Sequence, residues 1–303
     1  MFSPELTLTF AAVVDAGTFD EAARRLHVTP SAVSQRIKTL EQQAGQRLIV
    51  RSRPVRPTDG GLAVLRHARR LALLEHELAS DLGLGSGREG RVRLGVAVNA
   101  DSLATWFLDP VAEFAADRDV EIDLHREDQE HTQLLSDGVV VAAVTSRSLP
   151  VPGCRVVALG ALEYLPVAAS AWRDRWAAVS EAEALTRGPR LDYDRHDTLQ
   201  TQWLTGRGIA TTGPRHQVPS SHDFAAAVER GLGWALLPTA HAGPLLERGA
   251  VVQLDGPAVH TPLYWQHSAT PSDLLSGLTD AVRRAAGAAL IHPDATISRT
   301  ASP

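Results

Sequence analysis

The feature that most constrains the fold is a change of period. Up to residue 82 the apolar residues recur at helical spacing, and beyond the glycine-rich GLGSG at 83–87 they gather into short runs separated by helical stretches. A helix-only pattern followed by strand-helix alternation calls for two different layer architectures. The chain of 303 residues is long for one domain, so a small all-α module should precede a larger α/β body, with the glycines as the hinge.

Within the first module, LTLTFAAVVDAG carries Leu6, Phe10, Val13 and Val14 on one helical stripe and stops at Gly17. FDEAARRLH repeats the pattern with Phe19, Ala22, Ala23 and Leu26. Thr29 before Pro30 is an N-cap followed by proline at the first helical position, which opens a third helix over 31–43, ended by Gly45. Two helices joined by a turn of about three residues form a helix-turn-helix, whose second helix enters the DNA major groove. RLIVRSRPVRPTDGG at 47–61 then predicts a short two-stranded wing. From 61 to 82, Leu62, Leu65, Ala68, Leu71, Ala72, Leu74, Leu78 and Leu82 form an apolar seam without an evident cover, the mark of a dimerisation helix.

The net charge of -5 hides a division: residues 1–93 hold 14 Lys+Arg against 10 Asp+Glu, and the remainder holds 16 against 25. Between 22 and 58 there are eight basic residues and one acid, Glu41. A basic patch on an acidic body suits a polyanion-binding module attached to something else. Ser31, Ser34, Gln35 and Lys38 share one helix face. Gln35 suits adenine and Arg36 guanine, while the short Ser31 and Ser34 let the helix sit deep in the groove. Lys38, Arg51, Arg53 and Arg56 suit phosphates, which give affinity and register. Ala32, Val33, Ile37 and Leu40 form the buried face, and Thr29 is chiefly a cap.

In the body, RVRLGVAV at 91–98 reads as a strand, 103–116 as a helix, VEIDLHRED at 120–128 as a strand, 131–136 as a short helix and VVVAAVT at 139–145 as a strand. A second α/β unit begins near 169: RLDYD, a helix over 196–207, RHQVP, a helix over 221–230 and the strand WALLP. PLYWQH and an amphipathic 273–289 return the chain to the first unit, and the last dozen residues read as disordered. The alternation over 91–145 calls for a mainly parallel sheet.

These residues carry a resemblance. AARRLHVTPSAVSQRIKTLEQQAGQRLIVR, the wing, RPTDGG and a long leucine-rich helix resemble a LysR-type transcriptional regulator. The body is similar to that family's effector domain, a pair of α/β lobes like those of periplasmic binding proteins. VNADSLATWFLDP, EDQEHTQLLSDGVVVAAVT, VPGCRVVALGALEYLPVAA and SHDFAAAVERGLGWALLP resemble its ArgP/LysG branch. The fold class implied is α/β with an N-terminal all-α winged helix-turn-helix and a two-lobed periplasmic-binding-protein-like effector domain. The expected division is 1–60 for the DNA-binding module, 61–87 for the linker helix and hinge, and 88–303 for the effector domain. Its first lobe spans about 91–168 and 265–290, its second about 169–264. The resemblance implies a regulator of an amino-acid exporter gene that senses lysine or arginine, binds double-stranded DNA, works with RNA polymerase and forms a homodimer or homotetramer. A ligand that changes the lobe arrangement then changes the spacing of paired recognition helices.

Against that background, Asn99 and Asp101 stand where a strand ends and a helix begins, a place that favours ligand carboxylates. Ser102 and the backbone there suit the α-carboxylate of an amino acid. A cationic ligand also needs anions, and Asp101, Glu127, Asp128 and Asp223 all fall at strand ends or helix starts. Thr145 is a further candidate for the carboxylate. Taken singly, Asp101 reads as an N-cap, Asp223 as a first-turn residue favoured by the helix dipole, and Glu127 or Asp128 as a solvated strand end.

Other function classes find little support. One cysteine, Cys154, excludes an internal disulfide framework and suits a reducing cytosol. No stretch approaches the ~18 apolar residues of a membrane span, and MFSPELTLTF lacks a basic signal-peptide start, so a cytoplasmic protein without membrane partners is expected. The 12 histidines are scattered without HExxH, no Walker-type loop occurs, and neither an enzyme nor a cofactor is expected. The alternatives kept open are a replication-related or structural DNA-binding protein and a LysR-type regulator of an unrelated small anion.

Overall fold

The computed structural model describes residues 2–83, 92–127 and 132–292. In chain order the elements are α1 (Pro4–Ala16), α2 (Phe19–Arg25), α3 (Pro30–Ala44), β1 (Ile49–Val50), β2 (Arg56–Pro57), α4 (Asp59–Asp81), β3 (Val92–Val98), α5 (Ala100–Thr105), α6 (Leu108–Ala116), β4 (Val120–Arg126), α7 (Gln133–Ser136) and β5 (Ala142–Thr145). They continue with β6 (Cys154–Ala169), α8 (Ser170–Arg175), α9 (Glu181–Arg187), β7 (Arg190–Asp192), α10 (Leu199–Gly206), β8 (Arg215–Gln217), α11 (Ser221–Glu229), β9 (Ala235–Pro238), α12 (Thr239–Glu247), β10 (Val251–Gln253), β11 (Val259–Ser268) and α13 (Asp273–Ala289). Two compact units result, one of Met1–Val98, Pro110–Val157 and Trp265–Val282, the other of Asn99–Asp109, Ala158–Tyr264 and Arg283–Pro303.

In the first unit, local chemistry sets each end of the N-terminal helices. Gly17 closes α1 at φ 67°, donating its N–H to the Val14 carbonyl, and Thr18 caps α2 by accepting from Glu21 N at 3.2 Å. Phe10, Val13, Ala22, Ala23, Val33, Ile37, Leu40, Leu48 and Leu65 bury together as the module's core. Glu41, the lone acid of the basic stretch, is spent on structure: one carboxylate oxygen accepts from Leu48 N at 2.9 Å and Ile49 N at 3.3 Å, seating β1 against α3. β1 and β2 pair antiparallel through Ile49–Pro57 and Val50–Arg56, forming the expected wing. Gly61 permits α4 to start beside this wing, because a Cβ there would lie 2.1 Å from the Leu48 carbonyl oxygen.

The seam on α4 has two fates. Leu65 and Ala68 join the N-terminal core, whereas Leu74, Leu78 and Leu82 stay exposed. Arg69 on α4 holds Asp15 of α1 through two bonds of 2.8 and 2.5 Å. Beyond it, β3 lies between β4 and β5, parallel to both, with Val92–Val120 through Val98–Arg126 in register on one side and Val96–Ala142 on the other.

The second unit is built mainly on antiparallel pairing. β6, a strand of 16 residues absent from the sequence expectation, pairs antiparallel with β9 and with β10 through its last residues. Only β7 and β8 pair parallel there among the described strands. Val167, Leu191, Phe224, Val228, Ala235, Leu237 and Val251 make its core. The helix expected over 103–116 is two helices: Pro110 removes a donor and would clash with the carbonyl four residues back in a continuous helix, so α5 ends before the buried pair Trp106 and Phe107. The hinge beyond Gly83, Asp128, His131 and the tail from 293 lie outside the described residues.

Candidate functional site

The first candidate surface is built on α3. Thr29 Oγ1 accepts from Ala32 N at 3.1 Å and Gly45 ends the helix at φ 66°, so the helix is held at both ends. With Val33, Ile37 and Leu40 buried, the opposite face presents Ser31, Ser34, Gln35 and Lys38 to solvent, beside exposed Thr29 and Pro30. Lys38 is the chain's only lysine. Arg36 behaves differently from its neighbour. It is part-buried, pairs with Glu5 and donates to Thr9 Oγ1 at 3.4 Å, so its guanidinium is turned onto α1 rather than outward. On the wing, Arg51, Arg53 and Arg56 are exposed, and Arg51 lies 5.8 Å from the Phe19 ring centroid. The exposed face of α3 thus carries short hydroxyls, an amide and an ammonium, and the wing carries exposed guanidinium groups.

The second candidate site starts at the N-terminus of α5. Asn99 is extended at φ -70°, ψ 156°, and its Oδ1 caps the helix by accepting from Ser102 N at 2.8 Å. Asn99 Nδ2 and Ser102 Oγ are buried, and neither has a partner. Unsatisfied buried donors of this kind cost free energy unless a ligand or water completes them. Asp101 is not the cap. Its Oδ2 accepts from the Tyr164 hydroxyl and its Oδ1 from Ser221 Oγ, both at 2.7 Å, while Thr105 Oγ1 donates to its carbonyl at 2.6 Å. Burial, reinforced by the Asp101 charge, pushes the Tyr164 hydroxyl well above its ordinary range, so it remains a donor. His241, near the same carboxylate, is lowered by burial although Asp101 and the Ala104 carbonyl pull it up, so it stands neutral at pH 7.

The remaining candidates divide. In the first unit, Glu127 Oε1 accepts from Leu134 N at 3.0 Å and caps α7, while Oε2 is buried without a partner. Thr145 is fully buried and its Oγ1 accepts from Arg147 N at 3.2 Å. In the second unit, Asp223 is exposed in the first turn of α11, its N–H 3.4 Å from the capping Ser220 Oγ. The α11 side chain that reaches Asp101 is Ser221. Sequence reasoning missed both Tyr164 and Ser221: a neutral donor in a strand or a first turn leaves no charge pattern to find. Half-buried Cys154 has its thiol raised by burial, against the lowering effect of Arg70. Among the described residues no group of His, Cys, Asp and Glu forms a metal site, and no helix is long and apolar enough to cross a membrane.

Comparison with known proteins bears on both surfaces. Residues 5–62 match the family model described as bacterial regulatory helix-turn-helix protein, lysR family, and residues 85–287 match the LysR substrate binding domain. The chain is 45% identical over 287 residues to the HTH-type transcriptional regulator LysG of Mycobacterium bovis, covering 93% of each. It is 43% identical over 285 residues to the lysine export transcriptional regulatory protein LysG of Corynebacterium efficiens, covering 93% of this chain and 97% of the relative. Among solved structures, ArgP from Mycobacterium tuberculosis superposes with a TM-score of 0.82 at 44% identity, covering 96% of this chain and 99% of that one. Full-length LysG from Corynebacterium glutamicum with bound effector Arg gives 0.74 at 38% identity, covering 96% and 100%.

Proposed function

The chain belongs to the LysR family of bacterial helix-turn-helix transcriptional regulators, and on that premise we propose that its effector is a basic amino acid, lysine or arginine, and its target an amino-acid exporter gene. The observation that carries this reading is the similarity, over nearly the whole chain, to regulators named for lysine export and to one solved with arginine bound. It acts in the cytoplasm with RNA polymerase and without enzymatic activity of its own. The proposed division is a DNA-binding module over 1–60, a linker over 61–87 and an effector domain over 88–303.

Ser31, Ser34 and Gln35 read bases, with Lys38, Arg51, Arg53 and Arg56 on phosphates. Thr29 and Pro30 set the helix start, and Arg36 positions α3 through Glu5 and Thr9. Exposed Leu74 and Leu78 on α4, with Leu82 just past its end, support assembly into a homodimer or homotetramer, because such a stripe is costly to leave in water. In the second unit, Asn99 Nδ2 and Ser102 Oγ suit a ligand carboxylate; in the first, taken by itself, the unpartnered Glu127 Oε2 suits a cation. Asp101, Asp128, Thr145 and Asp223 complete the candidate set. The ligand acts as a population shift, which requires that it bind one conformation of the regulator better than another.

Calorimetry with lysine, arginine, histidine and an aromatic amino acid tests the proposal. Saturable heat from lysine or arginine alone is expected. No response to any basic amino acid, with a response to a small anion, overturns it.

A further inference from the structure

We infer that Tyr164 and Ser221 are positioning residues which hold Asp101 as the counter-ion of the effector's α-ammonium group. The inference rests on the basic-amino-acid reading above and deepens it.

Asp101 is half-buried, and among the described residues no lysine or arginine forms a salt bridge with it. What it has instead is one neutral donor per oxygen, the Tyr164 hydroxyl on Oδ2 and the Ser221 hydroxyl on Oδ1, both at 2.7 Å. A carboxylate offers about four lone-pair directions, so two donors fix its plane and leave it able to accept from a further group. Partly desolvating a carboxylate without a cation is unfavourable unless a positive group completes the site.

The two hydroxyls are free for this task. Tyr164 is 3% exposed on β6, so its ring cannot swing away. Ser220, not Ser221, caps α11, which leaves the Ser221 hydroxyl to reach α5. The main chain at 101 is tied down as well, through the Thr105 hydroxyl on its carbonyl.

The end of the ligand follows from what lies beside Asp101 in the chain. Asn99 Nδ2 and Ser102 Oγ are buried donors without partners, suited to a carboxylate. In an α-amino acid the ammonium and carboxylate sit on one carbon. With the carboxylate assigned to residues 99 and 102, Asp101 is the acid of the same helix turn assigned to the ammonium, and the basic side chain is read elsewhere. Losing one hydroxyl should then weaken lysine and arginine by the same factor.

The test is calorimetry of lysine and arginine against the full-length protein and its Tyr164→Phe, Ser221→Ala and Ser221→Thr variants, with melting temperature and effector-free operator binding measured alongside. Tyr164→Phe and Ser221→Ala should each lose about tenfold in affinity for both ligands, the scale of one hydrogen bond to a charged group. Ser221→Thr, which keeps the hydroxyl, should recover most of the loss, operator binding should not move, and melting should fall only by the small amount one hydrogen bond accounts for. Unchanged affinity in both hydroxyl-less variants overturns the inference, as does a loss confined to one ligand, which would put the side-chain cation at Asp101. Losses that track a falling melting temperature and are not rescued by threonine reduce the hydroxyls to packing. A wild-type protein that binds neither lysine nor arginine overturns the functional reading itself, and this inference with it.

Discussion

Replacing Gln35 by alanine separates base reading from every other role on α3. The side chain is exposed, its neighbours Ser31, Ser34 and Lys38 share its face, and the helix core of Val33, Ile37 and Leu40 does not involve it. Alanine is the better helix former by a few tenths of a kcal/mol, so folding should be intact. A bidentate glutamine–adenine contact is worth about 1–3 kcal/mol of discrimination at one base pair. Because the free side chain is already solvated, the low half of that range applies, about 1.5 kcal/mol per half-site. A two-fold dimer reads two half-sites, which makes about 3 kcal/mol, or roughly 150-fold in the ratio of specific to non-specific binding. Arg36→Ala provides the contrast: its guanidinium is held by Glu5 and Thr9, so it should cost less than about 1 kcal/mol of stability and little discrimination. The assay is fluorescence anisotropy on an operator selected from random duplexes and on its single-base-pair variants. If Gln35→Ala keeps discrimination within twofold of wild type at every position, or if Arg36→Ala is the variant that loses it, the assignment of the reading face is refuted.

Arg53→Ala should weaken binding to all duplexes alike and reduce the salt slope by about 0.9 per protomer, measured as log affinity against log salt; an unchanged slope removes Arg53 from the phosphate set. Asp192→Ala should destabilise the second unit by about 3–5 kcal/mol, since Asp192 and Arg190 are almost fully buried and Arg215 adds a 2.6 Å bond. Urea unfolding followed through Trp203 and Trp234, whose rings lie 5.5 Å apart, reports it, and a change under about 1 kcal/mol contradicts it. His241 and His267 are both lowered from 6.5 by burial, so the folded chain resists charging them. Their stabilisation is complete above 6.5 and drains away as pH falls through their folded values. Asp197, raised from 3.8, has the opposite sign and loses its stabilisation as pH rises through its folded value. Replacing both histidines by glutamine should flatten the stability profile just below pH 6.5, as read by urea midpoints, and an unaltered slope there rejects the assignment.

The N-terminal module was the most legible part of the fold because local chemistry alone dictates it. Thr29 and Pro30 open α3, Gly17 and Gly45 close their helices, and the apolar stripes do become one core. The wing was legible from alternation and prolines. The body was legible as α/β, and the parallel direction expected for its first strands is the one β3, β4 and β5 take, whereas β6 and its antiparallel partners were not foreseen. Strand direction depends on which distant segments pair, and β6 pairs with β9 and β10, some seventy and more residues away in the chain. The break between α5 and α6 was legible in principle, since Pro110 forbids a continuous helix there.

The candidate site shows why charge was an uneven guide. Counting acids near helix starts selected Asp101 and Asp223 together, yet α11 turns Ser221 toward Asp101 while Asp223 faces solvent in the helix's first turn. Adjacent positions of a first turn point about 100° apart, so a shift of one or two residues decides what meets a neighbouring element. The same geometry separates Gln35 from Arg36 on α3: one step around the helix takes a basic residue from the solvent-facing side to α1, where Glu5 receives it. Residue type narrows a site to a segment, but the assignment within that segment depends on tertiary contacts such as Tyr164 to Asp101, which spans 63 residues. A neutral hydroxyl that orients an acid is therefore the kind of functional residue that sequence reasoning overlooks first, and Tyr164 and Ser221 are where a substitution has the most to reveal.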